Sequence, residues 1–532
     1  MNTKNTYKIG QDNINALGLD IHNPVFVVSG MSIIIFIIIT LLFQQQVTSF
    51  FVWLRPAITN TFDWLFLSAA NIFVIFAMFL AISPLGKVRL GGMDAKPDYS
   101  YISWFSLIFA AGMGIGLMFF GVSEPISHFN SSMGGIVLTE GVRTDWAPLG
   151  AAVGDVNAAK NLAMAATIFH WGLHPWAIYA VVALALAFFT YNKGLPLTLR
   201  SAFYPLLGDK VWGWAGHIID VVAVFATLFG LATSLGFGTT QALAGFNSLY
   251  GWGSGSLAIF IFITVITLMA IISVVRGLDN GIKTLSEINI GLAVLLMFFI
   301  LVTGPTADIV STIFSGGAAY IQNLIPLSMP FGREDANFSQ GWTAFYWAWW
   351  VSWSPFVGMF IARISKGRTV REFIMSVILI PTIFSIIWMS VFGGTAISQV
   401  IANAAAPVAS VAQELKLFVM VENFPIAGLL SVVGITLVVV FFVTSSDSGS
   451  LVIDTITAGG KEDVPVQQRI FWCSFEGLVA ITLLMVGGNS ALTALQAMTV
   501  STGLPFTIIL LAMCYSIYKG LNEESKKKYS TY

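Results

Sequence analysis

The stretch YWAWWVSWSPF, residues 346–356, carries four tryptophans and no charged side chain. Tyr346, Trp350 and Trp353 recur at helical spacing, so they lie on one face of a helix. A second stretch, FHWGLHPWAIYA at 169–180, contributes Trp171, Trp176 and Tyr179. Aromatic faces attract a quaternary ammonium group by about 0.5–2 kcal/mol per ring when water is excluded. The residues predict an aromatic cage for a small methylated ammonium solute, with plain aromatic helix packing as the alternative.

Three alternating glycines, Gly112, Gly114 and Gly116, lie in the apolar run FAAGMGIGLMFFG at 109–121. Glycine weakens a helix, and a break here would expose backbone donors that suit the carboxylate of a zwitterion. Close helix packing through small residues is the alternative for a single glycine pair. A dinucleotide fingerprint is disfavoured, because the run is not placed between a strand and a helix.

A third chemical feature is the hydroxyl-rich run FFVTSSDSGS at 441–450. Hydroxyl oxygens can ligate a hard cation such as sodium. Serine and threonine in an apolar helix also commonly bond back to their own helix carbonyls. The run alone leaves both interpretations open.

The whole chain of 532 residues is 56% apolar and only 10% charged, which predicts a polytopic membrane protein. With 25 basic against 26 acidic residues, no nucleic-acid partner is expected. Stretches of about 20 apolar residues, enough to cross a bilayer core of about 30 Å, occur twelve times. Their centres lie near residues 34, 74, 112, 176, 229, 264, 295, 352, 386, 435, 479 and 508.

The basic residues predict the orientation of these spans. Counting from a cytoplasmic N-terminus, the opposite side holds only five of them: Arg55, Arg143, Lys160, Arg333 and Lys416. By the positive-inside rule, both termini are expected in the cytoplasm and the chain in the cytoplasmic (cell) membrane. The first apolar run, 25–43, follows a polar head and lacks a cleavage site, so we expect a span there rather than a signal peptide.

A second interruption is predicted in span eight, because Pro355 lacks a backbone donor and restricts Ser354. It lies five spans after the glycine break, and a five-helix unit repeated once returns with inverted topology. We therefore predict an all-α polytopic membrane protein of 12 transmembrane helices, with an inverted five-helix repeat and two extra N-terminal helices. The expected segments are a cytoplasmic head (1–24), two spans outside the repeat (25–100), spans three to seven (101–304), an outer amphipathic interfacial helix (305–340), spans eight to twelve (341–518) and a short basic cytoplasmic tail (519–532).

Three motifs, GMGIGLMFFG, HWGLHPWAIYA and FYWAWWVSWSPFVG, together resemble the betaine/carnitine/choline transporter family. The resemblance implies the leucine-transporter type of inverted repeat, assembled as a homotrimer in the lipid bilayer. Choline-type members tend to carry Asp where this chain has Gly116, so the resemblance implies glycine betaine, a compatible solute, as the substrate. The matching hydroxyls of span ten, and the lack of Lys or Arg in residues 221–245 where sodium-independent exchangers carry a positive side chain, imply import by sodium symport with alternating access. Choline or carnitine transport, by proton coupling or exchange, is the alternative.

The resemblance also implies the site residues. Those expected to bind substrate are Gly112, Gly114, Gly116, Trp171, Trp176, Tyr179, Trp349, Trp350, Trp353 and Phe356. Those expected to hold a co-transported sodium ion are the hydroxyls of Thr444 and Ser445 and the backbone of Ala110, Met113 and Phe441. Thr227 matches a second sodium site, but Leu231 stands where another hydroxyl is expected, so the number of sodium ions stays open.

Other functions find less support in the sequence. His170 and His174, at i and i+4, could share a metal, but the glutamate of HExxH and a third ligand are missing, so no enzyme is expected. Cys473 and Cys514 lie in apolar runs and suggest neither a disulfide nor a metal pair. A channel or sensor suits a caged midplane site less well than alternating access does.

Overall fold

Helices make up nearly the whole chain in the computed structural model, which describes residues 7–112, 114–276 and 281–529. The helices are α1 (Asn23–Leu42), α2 (Gln44–Ile82), α3 (Tyr101–Gly112), α4 (Ile115–Gly134), α5 (Val156–Trp171), α6 (Leu173–Tyr191), α7 (Tyr204–Leu207), α8 (Trp214–Tyr250), α9 (Ser256–Arg276), α10 (Gly281–Thr303), α11 (Thr306–Ser328), α12 (Ala336–Phe338), α13 (Ala344–Ile364), α14 (Val370–Met389), α15 (Thr395–Ala402), α16 (Lys416–Val421), α17 (Ala427–Thr457), α18 (Val466–Gly487) and α19 (Ala491–Tyr529). Two antiparallel hairpins, β1 (Asn13–Ala16) with β2 (Leu19–His22) and β3 (Leu138–Thr139) with β4 (Val142–Arg143), are also present.

The helices establish a multi-pass membrane protein. Over the three described ranges, ten helical stretches are long and apolar enough to cross a bilayer, and the bent pair α3–α4 makes an eleventh. Helix α13, at the predicted span eight, has the length of a span, but its tryptophans, tyrosine and serines lower its hydropathy. The count of twelve spans and the inverted repeat stay predictions.

Burial separates a central group of helices from a peripheral one. In the most apolar window of the α5–α6 stretch, 94% of residues are buried, against 28% in α9 and 22% in α10. Helix α13 packs against α6, α8 and α19. Helices α5, α6, α8 and α13 therefore form the centre, while α9 and α10 present apolar side chains outward, as lipid contact requires.

The N-terminal hairpin closes one end of the helix bundle. In β1, the Asn13 side-chain amide donates to the carbonyl of Ala458 at 2.9 Å, just after α17. In β2, His22 accepts from the Arg200 guanidinium at 3.1 Å, and Arg200 also pairs with buried Asp220 at 2.9 Å. Burial and the Arg200 charge lower the pKa of His22 to about 3, so this imidazole is neutral and can accept.

The second hairpin belongs to the long segment between α4 and α5. Arg143 pairs with Asp145 at 2.9 Å and also donates to the carbonyl of Ala147 at 2.8 Å. Burial opposes ionisation of Asp145, but hydrogen bonds from Arg143 and from backbone amides outweigh it and lower its pKa to about 2. Charge-assisted hydrogen bonds around Arg143 and Asp145 therefore help to fix the conformation of this segment.

The amphipathic segment predicted at 305–340 contains α11, which packs against α5. One contact between them is an ion pair at 2.7 Å between Lys160 of α5 and Asp308 of α11. At the other end of the chain, α19 continues to Tyr529, so most of the predicted tail prolongs the last helix.

Candidate functional site

The glycine-rich stretch breaks span three, as the sequence predicts. Helix α3 ends at Gly112 and α4 begins at Ile115, and the two axes differ in direction by 66°. Gly114 between them is extended, with φ −170° and ψ −177°. The Leu117 amide donates to the Gly114 carbonyl at 3.2 Å. The amides of Ile115 and Gly116, in the first turn of α4, have no earlier carbonyl of their own helix to bond, so the break offers donors in the interior of the bundle.

Gly116 lies where two indole rings meet. A Cβ atom at this position would lie 2.8 Å from Cη2 of Trp171 and 2.9 Å from Cη2 of Trp349. Both distances are below van der Waals contact, so any side chain at 116 would force the rings to move. The structure thus gives a steric reason for glycine here, which the sequence alone did not contain.

Four of the predicted rings form one cluster, called here the aromatic box: Trp171, Trp176, Tyr179 and Trp350. The ring centroid of Trp350 lies 5.4 Å from that of Trp171, 6.0 Å from Trp176 and 5.0 Å from Tyr179. All four side chains are buried. Such close, tilted and edge-to-face contacts are the geometry that aromatic pairs prefer.

A break at Gly172 sets the angle between two parts of the box. Trp171 is the last residue of α5, and Trp176 and Tyr179 belong to α6. Gly172 between the helices has φ −102° and ψ −129°, outside the helical region. The freed amide of Leu173 donates to the Tyr320 hydroxyl of α11 at 3.1 Å, so α11 supports this break.

Span eight is continuous, and the predicted interruption at Pro355 is wrong. Helix α13 runs from Ala344 to Ile364 through the proline. Proline leaves the carbonyl of Val351 without its helical donor, but the Ser354 hydroxyl donates to that oxygen at 2.6 Å. Local hydroxyls commonly repair proline positions in this way in membrane helices.

The remaining predicted aromatic residues of α13 face α8. The Trp349 indole donates to the Ser234 hydroxyl at 3.1 Å, and the Trp353 indole donates to the Gly230 carbonyl at 3.0 Å. Phe356 packs on Trp353, with 5.3 Å between the ring centroids. Trp349 and Trp353 therefore join the box to α8, and Phe356 lies behind Trp353.

A narrow cavity of about 50 Å³ lies between the box and the break in span three. Its lining residues are Ala111, Gly114, Ile115, Gly116, Leu117, Trp171, Tyr179, Ser234, Trp349, Trp350 and Trp353. None of these carries a charge. In addition, the indole nitrogens of Trp176 and Trp350 are buried without a hydrogen-bond partner among the described residues, although buried indoles usually find one.

A buried carboxylate behind the box was missed from the sequence. Glu124 of α4 is fully buried and accepts from the Trp171 indole at 2.8 Å and from the Tyr346 hydroxyl at 2.5 Å through one oxygen. Its other oxygen contacts His170 at 2.6 Å and His128 at 3.2 Å. Glu124 thus fixes the orientation of a ring of the box. The pair Glu124 and His128, at i and i+4 in an apolar run, was the available signal.

The structure groups His170 with a different set of possible metal ligands from the His170 and His174 pair considered from the sequence. His174 forms its hydrogen bond with Asn71 at 2.9 Å, whereas His170 pairs with Glu124, so the two imidazoles do not share a polar partner. Ligand atoms of Glu124, His128 and His170 do lie within 4.8 Å of one another and could hold a metal. All three already belong to the hydrogen-bonded network around Trp171, which explains their burial without an ion.

The residues predicted to bind sodium are distributed over three helices. Thr444 of α17 donates to the carbonyl of Val440 at 2.9 Å and to that of Phe441 at 3.3 Å, and Ser445 beside it is half-buried. Ala110 lies near the end of α3, and Met113 falls outside the described residues. Thr227 of α8 donates to the Ala223 carbonyl at 2.8 Å, which is ordinary bonding within a helix.

Comparison with known proteins agrees with the sequence motifs. A family profile described as BCCT, betaine/carnitine/choline family transporter, matches residues 24–526. A glycine betaine/proline/choline transporter of Vibrio parahaemolyticus is 60% identical over 524 residues, which cover 98% of this chain and 94% of the relative. Glycine betaine transporter 1 of the same species is 54% identical over 528 residues, 97% of each chain. A glycine betaine transporter of Acinetobacter baylyi is 42% identical over 510 residues, 95% of this chain and 74% of the relative.

Proposed function

Since the chain belongs to the betaine/carnitine/choline transporter family, we propose that it imports glycine betaine by sodium symport with alternating access. The observation that carries the choice of substrate is the aromatic box. A cation is attracted to a ring when it lies within about 6 Å of the ring centroid. The other three centroids lie 5.0–6.0 Å from that of Trp350. Trp171, Tyr179 and Trp350 also line the cavity, so an ammonium group there would contact these three rings, with Trp176 packed against Tyr179 and Trp350.

The lack of charged side chains in the described cavity lining supports a zwitterion rather than a simple cation as the substrate. The described lining contains no carboxylate, which a monovalent cation would need as a counter-charge. The Trp350 indole nitrogen, which has no partner among the described residues, and the amides of Ile115 and Gly116 at the start of α4 are donors for a substrate carboxylate. Glycine betaine presents both groups, a trimethylammonium and a carboxylate.

Sodium is the proposed coupling ion, held by the hydroxyls of Thr444 and Ser445 with the backbone of Ala110, Met113 and Phe441. The Thr444 hydroxyl donates its hydrogen bond to a carbonyl of its own helix. The oxygen of a donating hydroxyl still has two lone pairs that can bind a cation. Each positive charge that moves inward gains about 2.3 kcal/mol per 100 mV of membrane potential. A second sodium ion at Thr227 is the weaker proposal, since Leu231 supplies no ligand.

Choline and proline are the second candidate substrates. The 60% and 52% identical relatives from Vibrio parahaemolyticus are named as transporters of both, besides glycine betaine. Gly116 favours betaine, because choline-type members tend to carry Asp at this position and Gly116 offers choline no such counter-charge. We propose glycine betaine as the preferred substrate and choline as a weak one.

The proposed setting is the cytoplasmic membrane with both termini in the cytoplasm, where the basic residues place them. A homotrimer is proposed from the family resemblance alone. Accumulation of a compatible solute for osmoprotection is the proposed physiological role. It follows from the substrate and from the inward sodium gradient.

The test is uptake of labelled glycine betaine into proteoliposomes that contain the purified protein. One arm has an inward sodium gradient, and the other has potassium in place of sodium. Unlabelled choline, proline and carnitine serve as competitors. We expect sodium-dependent uptake that excess choline reduces only weakly. Equal uptake in sodium and potassium would refute symport, and stronger competition by choline than by unlabelled betaine would refute the substrate.

A further inference from the structure

A second buried carboxyl lies away from the aromatic box, in the middle of α18. Glu476 follows the apolar run IFWCSF, and its side chain has no exposed surface. An ionisable residue inside a membrane span is costly to bury and commonly marks an ion or proton pathway. Neither the aromatic box nor the proposed sodium ligands use Glu476.

The contacts of Glu476 are incomplete. One carboxyl oxygen accepts from the Ser446 hydroxyl of α17 at 2.9 Å. The other is buried and has no hydrogen-bond partner in the part of the chain that the structure describes. Ser446 is itself buried and also lies 3.5 Å from the sulfur of Cys473. A carboxyl group with one free oxygen and no counter-charge is an arrangement that a bound cation would complete.

The polar groups around Glu476 add oxygens rather than positive charge. On α17, Asp447 accepts from Ser273 of α9 at 3.0 Å. On α9, the buried hydroxyl of Thr267 has no partner among the described residues, and it lies against Gly477, where a Cβ would be 2.3 Å from it. The nearest cation on α18 is Arg469, which pairs with Asp454 at 3.4 Å.

The remaining helices packed on α18 supply no described charge to Glu476. Helix α1 has no ionisable side chain, α9 has none before Arg276, and α19 carries charges only from Lys519 onward. The ionisable groups of α2 and α8 have other partners: Arg55 donates to Gly341, Asp63 accepts from Gln340, and Asp220 and His217 contact Arg200. Among the described residues, the surroundings of Glu476 are therefore rich in oxygen atoms and supply no partner cation.

We propose that Glu476 and Ser446 form a binding site for a monovalent cation, a proton or a sodium ion, between α17 and α18. A proton converts the carboxylate to a neutral acid, which removes the need for a counter-charge while one oxygen still accepts from the Ser446 hydroxyl. A sodium ion would use the carboxylate and hydroxyl oxygens as ligands. A cation at this site would be additional to the sodium ion of the proposed symport. Only the role of this site in transport rests on the proposed function, because cation binding can be measured without transport.

A structural role for Glu476 makes a different prediction. A side chain that serves only to accept from Ser446 can be replaced by glutamine, which keeps the shape and the acceptor oxygen but binds neither a proton nor sodium tightly. Glu476→Gln therefore separates the two roles. Glu422→Gln, an exposed residue beyond α16, is the matched control.

The experiment uses the purified full-length protein in lipid nanodiscs without betaine. Infrared spectra at neutral pH record the carbonyl stretch of protonated carboxylic acids, and radioactive sodium binding gives the number of ions per protein. If the cation is an exchangeable proton, we expect one protonated-acid band that is lost reversibly as the pH is raised and is absent from Glu476→Gln; a band that does not respond to pH would indicate a purely structural acid and overturn the proton site. If it is sodium, the variant binds one ion fewer and no band is lost. Glu422→Gln changes neither quantity.

If folded Glu476→Gln keeps both the protonated-acid band and the full number of bound sodium ions, the proposal is overturned. If that variant does not fold, Ser446→Ala replaces it, and an unchanged band position together with unchanged sodium binding would overturn the proposal equally. Because no transport is measured, failure of betaine uptake leaves this test intact. Thr444→Ala, in turn, should lower sodium binding and leave the Glu476 band in place.

Discussion

Replacement of Trp350 by leucine should nearly abolish betaine binding while the protein still folds. Trp350 is the one ring whose centroid lies within 6.0 Å of the other three rings of the box. Its loss removes one cation–π contact of about 2 kcal/mol in a water-free site. That alone weakens binding about 30-fold, since 1.4 kcal/mol is a tenfold change in Kd. Loosening of the three neighbouring rings adds to this loss.

The matched control is Trp347→Leu on the same helix. Trp347 is buried to a similar degree, but it packs on Phe169, His170 and His174 rather than on the box. It should lower the melting temperature and change the affinity little. Binding is measured by isothermal titration of both folded variants with glycine betaine. A Trp350→Leu affinity within about threefold of wild type, or an equal loss in Trp347→Leu, would refute the role of the box.

Three further predictions concern the other parts of the molecule. Thr444→Ala should raise the sodium concentration for half-maximal uptake about tenfold or more, which corresponds to a loss of about 1.4 kcal/mol in sodium binding. The control is Thr436→Ala, because the Thr436 hydroxyl also bonds its own helix, and it should leave that concentration unchanged. Equal effects of the two substitutions would refute Thr444 as a sodium ligand. Glu124→Gln should raise the betaine KM about tenfold and change the maximal rate less, because a charge-assisted bond to Trp171 worth about 1.5–3 kcal/mol is weakened; an unchanged KM would refute this positioning role. The pKa of Asp145 is lowered to about 2 from an ordinary value near 3.9, so its stabilisation is present above about pH 4 and is lost as the pH falls towards 2. Thermal unfolding of wild type should show this acid loss, and Asp145→Asn should be less stable above pH 4 and lack that step.

Much of the site could be predicted from residue type and spacing. The break in span three follows from glycines at alternate positions, since the cost of glycine in a helix is local and readable from the sequence. The aromatic residues of 169–180 and 346–356 were predicted to line a common cage, and four of them meet there. Local rules and the family motifs were sufficient for these features.

Two features were predicted wrongly or missed because they depend on hydrogen bonds that the sequence does not reveal. Pro355 was expected to break its helix, and the Ser354 hydroxyl one residue before it compensates the freed carbonyl. Glu124 was overlooked because its role depends on Trp171, Tyr346 and His170, which approach it only in the folded chain. Tertiary hydrogen bonds of this kind leave no periodic pattern in a sequence.

The decisive measurement compares glycine betaine with its uncharged-headgroup isostere, 3,3-dimethylbutyrate, in which carbon replaces the quaternary nitrogen. Both have nearly the same shape and the same carboxylate, so only the positive charge at the methylated centre differs. If the aromatic box recognises that charge, isothermal titration should show binding of betaine and at least a hundredfold weaker binding of the isostere, since several cation–π contacts of about 0.5–2 kcal/mol each are lost. Equal affinities would contradict recognition of a quaternary ammonium by the box.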